Sequence, residues 1–149
     1  LQLTVVLLAG VLLGPRVGAL SCLVYLVLGL AGLPVFAEGG GIAYVLRPGF
    51  GYILAFALGA WVTGRIARKT PNPSMKRLLF AHFAGMLLIY LVGIVYMFLI
   101  SHIYLGTDMG VRALLLYGFA FTAPGDAALC VASAFLAKRL LPVLIRMGF

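Results

Sequence analysis

Asp126 stands in Ala123-Pro124-Gly125-Asp126 at the head of an apolar run, and it is one of only three acids in 149 residues. Proline suits a first helical turn because its missing N–H would have no partner there. An acid two residues later sits near the positive end of the helix dipole. One reading is a well-formed helix start. The other is a carboxylate at the rim of a membrane pocket, accepting hydrogen bonds from ligand N–H groups, since acids near membrane depth are costly and tend to be functional. Glu38 precedes Gly39, Gly40 and Gly41 in the stretch FAEGGGIAYVLRPGFGY, residues 36–52. Glycines present backbone N–H groups with no side chain in front of them, so a ligand can touch the main chain. Arg47 adds the only base of this stretch, and Tyr52 follows near the start of the next apolar run. A flexible turn would explain three glycines; the length of the loop favours ligand binding.

Other groups offer less. His82 and His102 are 20 residues apart, about 30 Å along one helix, and cannot share an ion. His102 near the outer end could line a pocket, while His82 beside Lys76 and Arg77 reads as interfacial. Tyr90, Tyr96 and Tyr104 read as packing and belt residues. Cys22 and Cys130 lie far apart in apolar runs, with neither disulfide nor metal spacing, and read as small buried hydrophobes. The chain has no phosphate loop, no HExxH and no GxSxG elbow. An enzyme would have few groups to work with, and no cofactor is expected.

The elements that must position these residues are set by composition. Hydrophobic residues make up 64% and charged ones 9%, against about a quarter charged in soluble domains. Mean hydropathy is +1.20. The chain is expected to be an all-α integral membrane bundle. Spans are placed at residues 1–13, 17–33, 50–66, 78–103 and 124–141. A loop at 34–49 and an apolar segment at 111–123, too short to span, complete it. No alternating ten-residue segments suggest a barrel. The net charge of +8 does not point to nucleic acid, because the bases cluster at the ends of apolar runs.

Five spans put nine bases on one side: Arg16, Arg65, Arg68, Lys69, Lys76, Arg77, Lys138, Arg139 and Arg146. Arg47 and Arg112 fall on the other side with Glu38, Asp108 and Asp126. The positive-inside rule then makes the carboxy end cytoplasmic and the acids external. The amino end would lie outside, and a first residue that is already helical predicts a missing first helix. Gly10, Gly14 and Gly18, then Ala55, Gly59 and Thr63, repeat small residues one turn apart. Such faces let helices pack closely; a partner protein is the sharper alternative.

The ordered segments TVVLLAGVLLGPRVGALSCLVYLVLGLAGLPVFAEGGG, YVLRPGFGYILAF, LLIYLVG and APGDAAL resemble the BioY family over nearly the whole chain. That family is the biotin-specific substrate-binding S component of energy-coupling-factor (ECF) transporters. The resemblance implies a six-helix S-component fold, with the first helix absent here and five spans present. It implies a multi-pass protein of a bacterial or archaeal membrane that captures biotin from outside. Its partners would be a transmembrane T component and ATPase subunits that use the ATP. Carried over by position, Gly39, Gly40 and Gly41 belong to the substrate loop. Asp126 accepts from the ureido ring, and Gln2 borders the pocket. Two departures stand out. Leu129 replaces a usual lysine, with Arg47 as the candidate cation in its stead, and Glu38 replaces a small residue. The alternatives are an S component for another small vitamin-like compound, an intramembrane enzyme using Asp126 and His102, or a structural membrane protein.

Overall fold

A computed structural model describes residues 1–106 and 110–147, the side chains of residues 111, 114 and 117 excepted. The expected external acid Asp108 lies outside the described residues. The helices are α1 (Gln2–Leu13), α2 (Pro15–Leu30), α3 (Phe50–Ala67), α4 (Met75–Ile103), α5 (Val111–Leu115) and α6 (Ala123–Arg146). A 3-10 turn covers Ile42–Leu46, and a π turn covers Leu116–Ala120.

Among the described residues, three helical segments are long and apolar enough to cross a membrane: Phe50–Ala67, Met75–Ile103 and Gly118–Arg146. The expectation of five segments meets five apolar helices, but α1 and α2 have only 12 and 16 residues. They are about 18 and 24 Å long, against a hydrocarbon core of ~30 Å. The break between them is Gly14, whose φ of 92° suits glycine, followed at once by Pro15 at the first turn of α2. The chain reverses there, and α1 and α2 form an antiparallel hairpin that brings Gln2 to Tyr25.

Small residues decide how the helices stack. A Cβ on Gly10 would lie 2.1 Å from the Ala60 carbonyl oxygen, and one on Gly18 would lie 2.8 Å from the Gly10 Cα. Gly64 presses on the Gly10 carbonyl, Gly59 on Ile89, and Gly85 on the Thr63 hydroxyl. The small-residue faces are therefore filled from within the bundle. In lipid such contacts, rather than water exclusion, hold helices together. Leu7, Val11, Ala60, Leu78, Ile89 and Ala134 are fully buried between them. Leu20, Val24 and Val27 of α2 and Leu87 and Leu91 of α4 point outward, as side chains facing acyl chains do.

The two ends of the bundle differ. At one end Arg68 donates to the Leu12 carbonyl at 3.1 Å, and Arg77 to Thr70 at 2.7 Å. Lys138 there reaches Asn72 and Pro73 at 2.9 and 2.8 Å. His82, read above as interfacial, is instead wholly buried, its Nδ1 2.8 Å from the Leu78 carbonyl. The difference is one of rotation about α4: His82 shares the inward face of Leu78, Gly85 and Ile89, whereas Lys76 and Phe80 face out.

The opposite end carries the loop between α2 and α3, which is an ordered cap. Phe36 is buried beneath it, packed where Gly29 has no side chain. Its ring lies 5.4 Å from Tyr25 and 4.7 Å from Tyr44. Gly39 and Gly41 have φ of 113° and 103°, and Gly40 passes so close to the Leu33 carbonyl that a Cβ would clash. These dihedrals fold the loop back over the end of α2. The Tyr96 hydroxyl donates to the Val45 carbonyl and ties the cap to α4.

Candidate substrate-binding site

Asp126 lies in the first turn of α6, half-buried, and is gripped from α4. The Tyr90 hydroxyl donates to Asp126 Oδ2 at 2.6 Å and shares a second hydrogen bond with Thr122 Oγ1 at 2.9 Å. Thr122 occupies the N-cap position of α6, yet its side chain caps no helix amide; it serves Tyr90. Tyr90 is itself fixed by edge contacts, 5.7 Å to the Tyr52 ring and 5.2 Å to Phe119. One carboxylate oxygen is thus engaged by the protein. The other gives the group spare acceptor capacity toward the cavity.

Tyr52 completes that wall. It lies over Gly93, where a Cβ would sit 2.5 Å from its ring, and donates to the Gly118 carbonyl at 2.7 Å. Gly118 belongs to the π turn. Its missing side chain leaves room for the Tyr52 hydroxyl and for Met97. Irregular helical turns of this kind often occur at functional sites.

The cavity bounded by these residues measures about 560 Å³, within the range of small-molecule sites. Asp126, Tyr52, Tyr90 and Gln2 line it, with Phe56, Ile89 and Leu129 as its apolar floor and sides. None of the described side chains that line it is a cation. Such a site suits a compact, mostly apolar molecule with N–H donors at one end. A second, more apolar crevice of about 360 Å³ shares Leu1, Gln2 and Phe56 and runs along Cys22 and Tyr25.

The structure therefore brings together Asp126, Tyr52 and Gln2. It places Gly39, Gly40, Gly41, Glu38 and Arg47 in the cap at the same end of the bundle, outside the lining of this cavity. The Gly39 amide donates to Phe36 and the Gly41 amide to the Gly29 carbonyl at 2.7 Å. Glu38 and Arg47 pair with each other at the surface of the cap, and Arg47 also lies 5.2 Å from the Tyr44 ring centroid. Arg47→Ala is expected to change ligand affinity less than about threefold, because an exposed pair of this kind contributes little. Equilibrium binding to the purified variant checks it. His102 is exposed and stays with its own helix, 3.1 Å from the Phe98 carbonyl.

Sequence reasoning missed Tyr90 and Thr122. The threonine had a signal, its place immediately before Ala123-Pro124. Tyr90 had none, since its partner is 36 residues away on another helix. Tyr90→Phe is expected to weaken ligand binding about tenfold by freeing the carboxylate to rotate, with one charge-assisted hydrogen bond lost. Calorimetric titration of the variant measures it.

Fold and site together define a helical membrane protein with a small-molecule cavity at one end of its bundle. A model of the BioY family matches residues 1–146. The chain belongs to that family. It is 43% identical over 143 residues to the probable biotin transporter BioY of Lysinibacillus sphaericus, covering 96% of this chain and 73% of that one. To the Bacillus subtilis strain 168 protein described in the same words it is 34% identical, covering 94% of this chain and 73% of that one. Among solved structures, it is similar to the S-component for biotin from an ECF-type ABC transporter. That similarity has a TM-score of 0.77 at 27% identity, over 94% of this chain and 73% of that one.

Proposed function

We propose that this chain captures biotin as the substrate-binding membrane subunit of an ECF-type transporter, and that partner subunits supply the energy. The observation that carries the reading is the Asp126 carboxylate, held by Tyr90 against one side of a mostly apolar cavity. Biotin's ureido ring offers an N–H donor on each flank, one of which suits the free oxygen of this carboxylate, and its thioether ring and aliphatic chain suit Phe56, Ile89 and Leu129. The base-rich end, with the carboxy terminus, faces the cytoplasm in this reading, and the cap with the cavity faces outward. A transmembrane T component and ATPases would drive release by reorienting the bundle. No catalytic step is assigned to the chain.

Leu129 favours a second reading within the same class. With no cationic side chain among the described residues that line the cavity, the valerate carboxylate is left at its mouth in water, and a close analogue lacking that charge would fit as well. Binding of radiolabelled biotin to the purified protein, competed by biotin and by biotinamide, tests both. Retention of biotin with weak competition by the amide supports biotin and a cation elsewhere. Equal competition supports recognition through the ring alone. No retention by folded protein overturns the proposal.

A further inference from the structure

At the opposite end from the ligand cavity, a further concavity of about 780 Å³ is lined by Arg65, Arg68, Lys69 and Arg77, with Pro15 and Phe80 also in its lining. We propose that it is a binding site for the phosphate headgroup of an anionic phospholipid. Orientation in the membrane explains why bases gather at this end. It does not explain why four of them, from the end of α3, the chain just after it and the start of α4, converge on one hollow.

None of the described residues that line it carries a carboxylate, and the chain has only three acidic side chains. Glu38 pairs with Arg47 and Asp126 with Tyr90, both at the other end. Arg68 and Arg77 are each tethered by a neutral acceptor, the Leu12 carbonyl and the Thr70 hydroxyl. Those bonds position the guanidiniums without neutralising them. Lys69 and Arg65 stand exposed at the rim. Basic hollows between membrane helices near the cytoplasmic surface bind anionic headgroups in this way.

The surroundings choose a lipid over a free anion. Phe80 is 66% exposed and Trp61 43% exposed, and the Arg65 guanidinium lies 5.5 Å from the Trp61 ring centroid. A tryptophan ring of this kind marks the headgroup level. A phosphate seated among the bases would lay its acyl chains along these rings and the outward apolar faces of α3 and α4.

Trp61 is the single tryptophan of the chain and reports occupancy directly. The protein is reconstituted in phosphatidylcholine vesicles carrying increasing fractions of brominated phosphatidylglycerol, and its quenching is compared with that by brominated phosphatidylcholine. The expected result is about a tenfold preference for phosphatidylglycerol at low ionic strength, declining with salt. Arg65→Gln with Lys69→Gln should bring the ratio close to one. Both leave the hydrogen bonds of Arg68 and Arg77 intact, and Lys69→Gln alone, which should lower the ratio about threefold, serves if the double variant fails to fold. Equal quenching by the two lipids overturns the proposal and leaves the hollow to an acidic protein partner. An unchanged ratio in the variants also overturns it. Loss of the preference in millimolar inorganic phosphate would identify a free-anion site instead of a lipid site.

Discussion

Asp126→Asn is expected to lower biotin affinity by about a hundredfold while leaving the melting temperature of the unliganded protein nearly unchanged. Asparagine keeps the shape and keeps an oxygen for the Tyr90 hydroxyl, which reaches Asp126 Oδ2 at 2.6 Å. It loses the charge, and it turns an N–H₂ group toward a ligand that itself brings N–H donors. A charge-assisted hydrogen bond from one ureido N–H contributes about 1.5 kcal/mol, and leaving that N–H opposed by the asparagine N–H₂ costs about as much again; about 2.8 kcal/mol is a hundredfold in affinity. Calorimetric titration beside thermal unfolding separates the two quantities. Affinity within threefold of the parent would remove Asp126 from the recognition of the ligand. A parallel fall in stability would recast it as a helix-start residue, since a carboxylate in the first turn of α6 also favours the helix dipole.

That second role is why Asp126 was legible before any coordinates. Pro124 and Asp126 carry a local signal, and local signals survive in sequence. The same holds for Gly14-Pro15, whose backbone demands announce the reversal between α1 and α2. Apolar runs gave the helices, and the lopsided bases gave the two unlike ends of the bundle. Rotation about each helix axis was not legible, because runs this apolar have no polar face to mark the outside. His82 is the instance: its neighbours Lys76 and Arg77 suggested an interface, yet it points to the core.

The cap was legible as a feature but not in its geometry. Three glycines are compatible with a ligand touching the main chain and with a chain that must fold tightly on itself. In this structure Gly39 and Gly41 take left-handed dihedrals and donate within the protein. Gly40 clears the Leu33 carbonyl. The Glu38–Arg47 pair follows the same logic: two charges whose place in the sequence points to a ligand meet each other across the 3-10 turn. Tyr90 shows the converse. Its hydroxyl meets Thr122 and Asp126 only after α4 and α6 pack antiparallel, a relation no single segment encodes.

Gly10→Ala is expected to destabilise the protein by about 3 kcal/mol, although Gly10 does not itself line the ligand cavity. The added methyl would lie 2.1 Å from the Ala60 oxygen and 2.9 Å from its carbonyl carbon. Both are backbone atoms of α3, so no side-chain rotation relieves the clash and the helices must part. They are not free to part cleanly. Gly64 presses its own Cα face on the Gly10 carbonyl, and Gly18 brings α2 against the same turn of α1. One methyl therefore loosens three helices at their common crossing, where close contact supplies the attraction that lipid cannot. Thermal unfolding in detergent, with Gly49→Ala as the comparison, reads the effect. Gly49 has an ordinary φ of −72° and open space around it, so its variant should melt with the parent. A Gly10→Ala protein that also melts with the parent would mean that α1 and α3 do not cross at this turn. Because α1 carries Gln2 to the cavity wall, the same shift should weaken biotin binding in proportion to the loss of stability rather than abolish it outright.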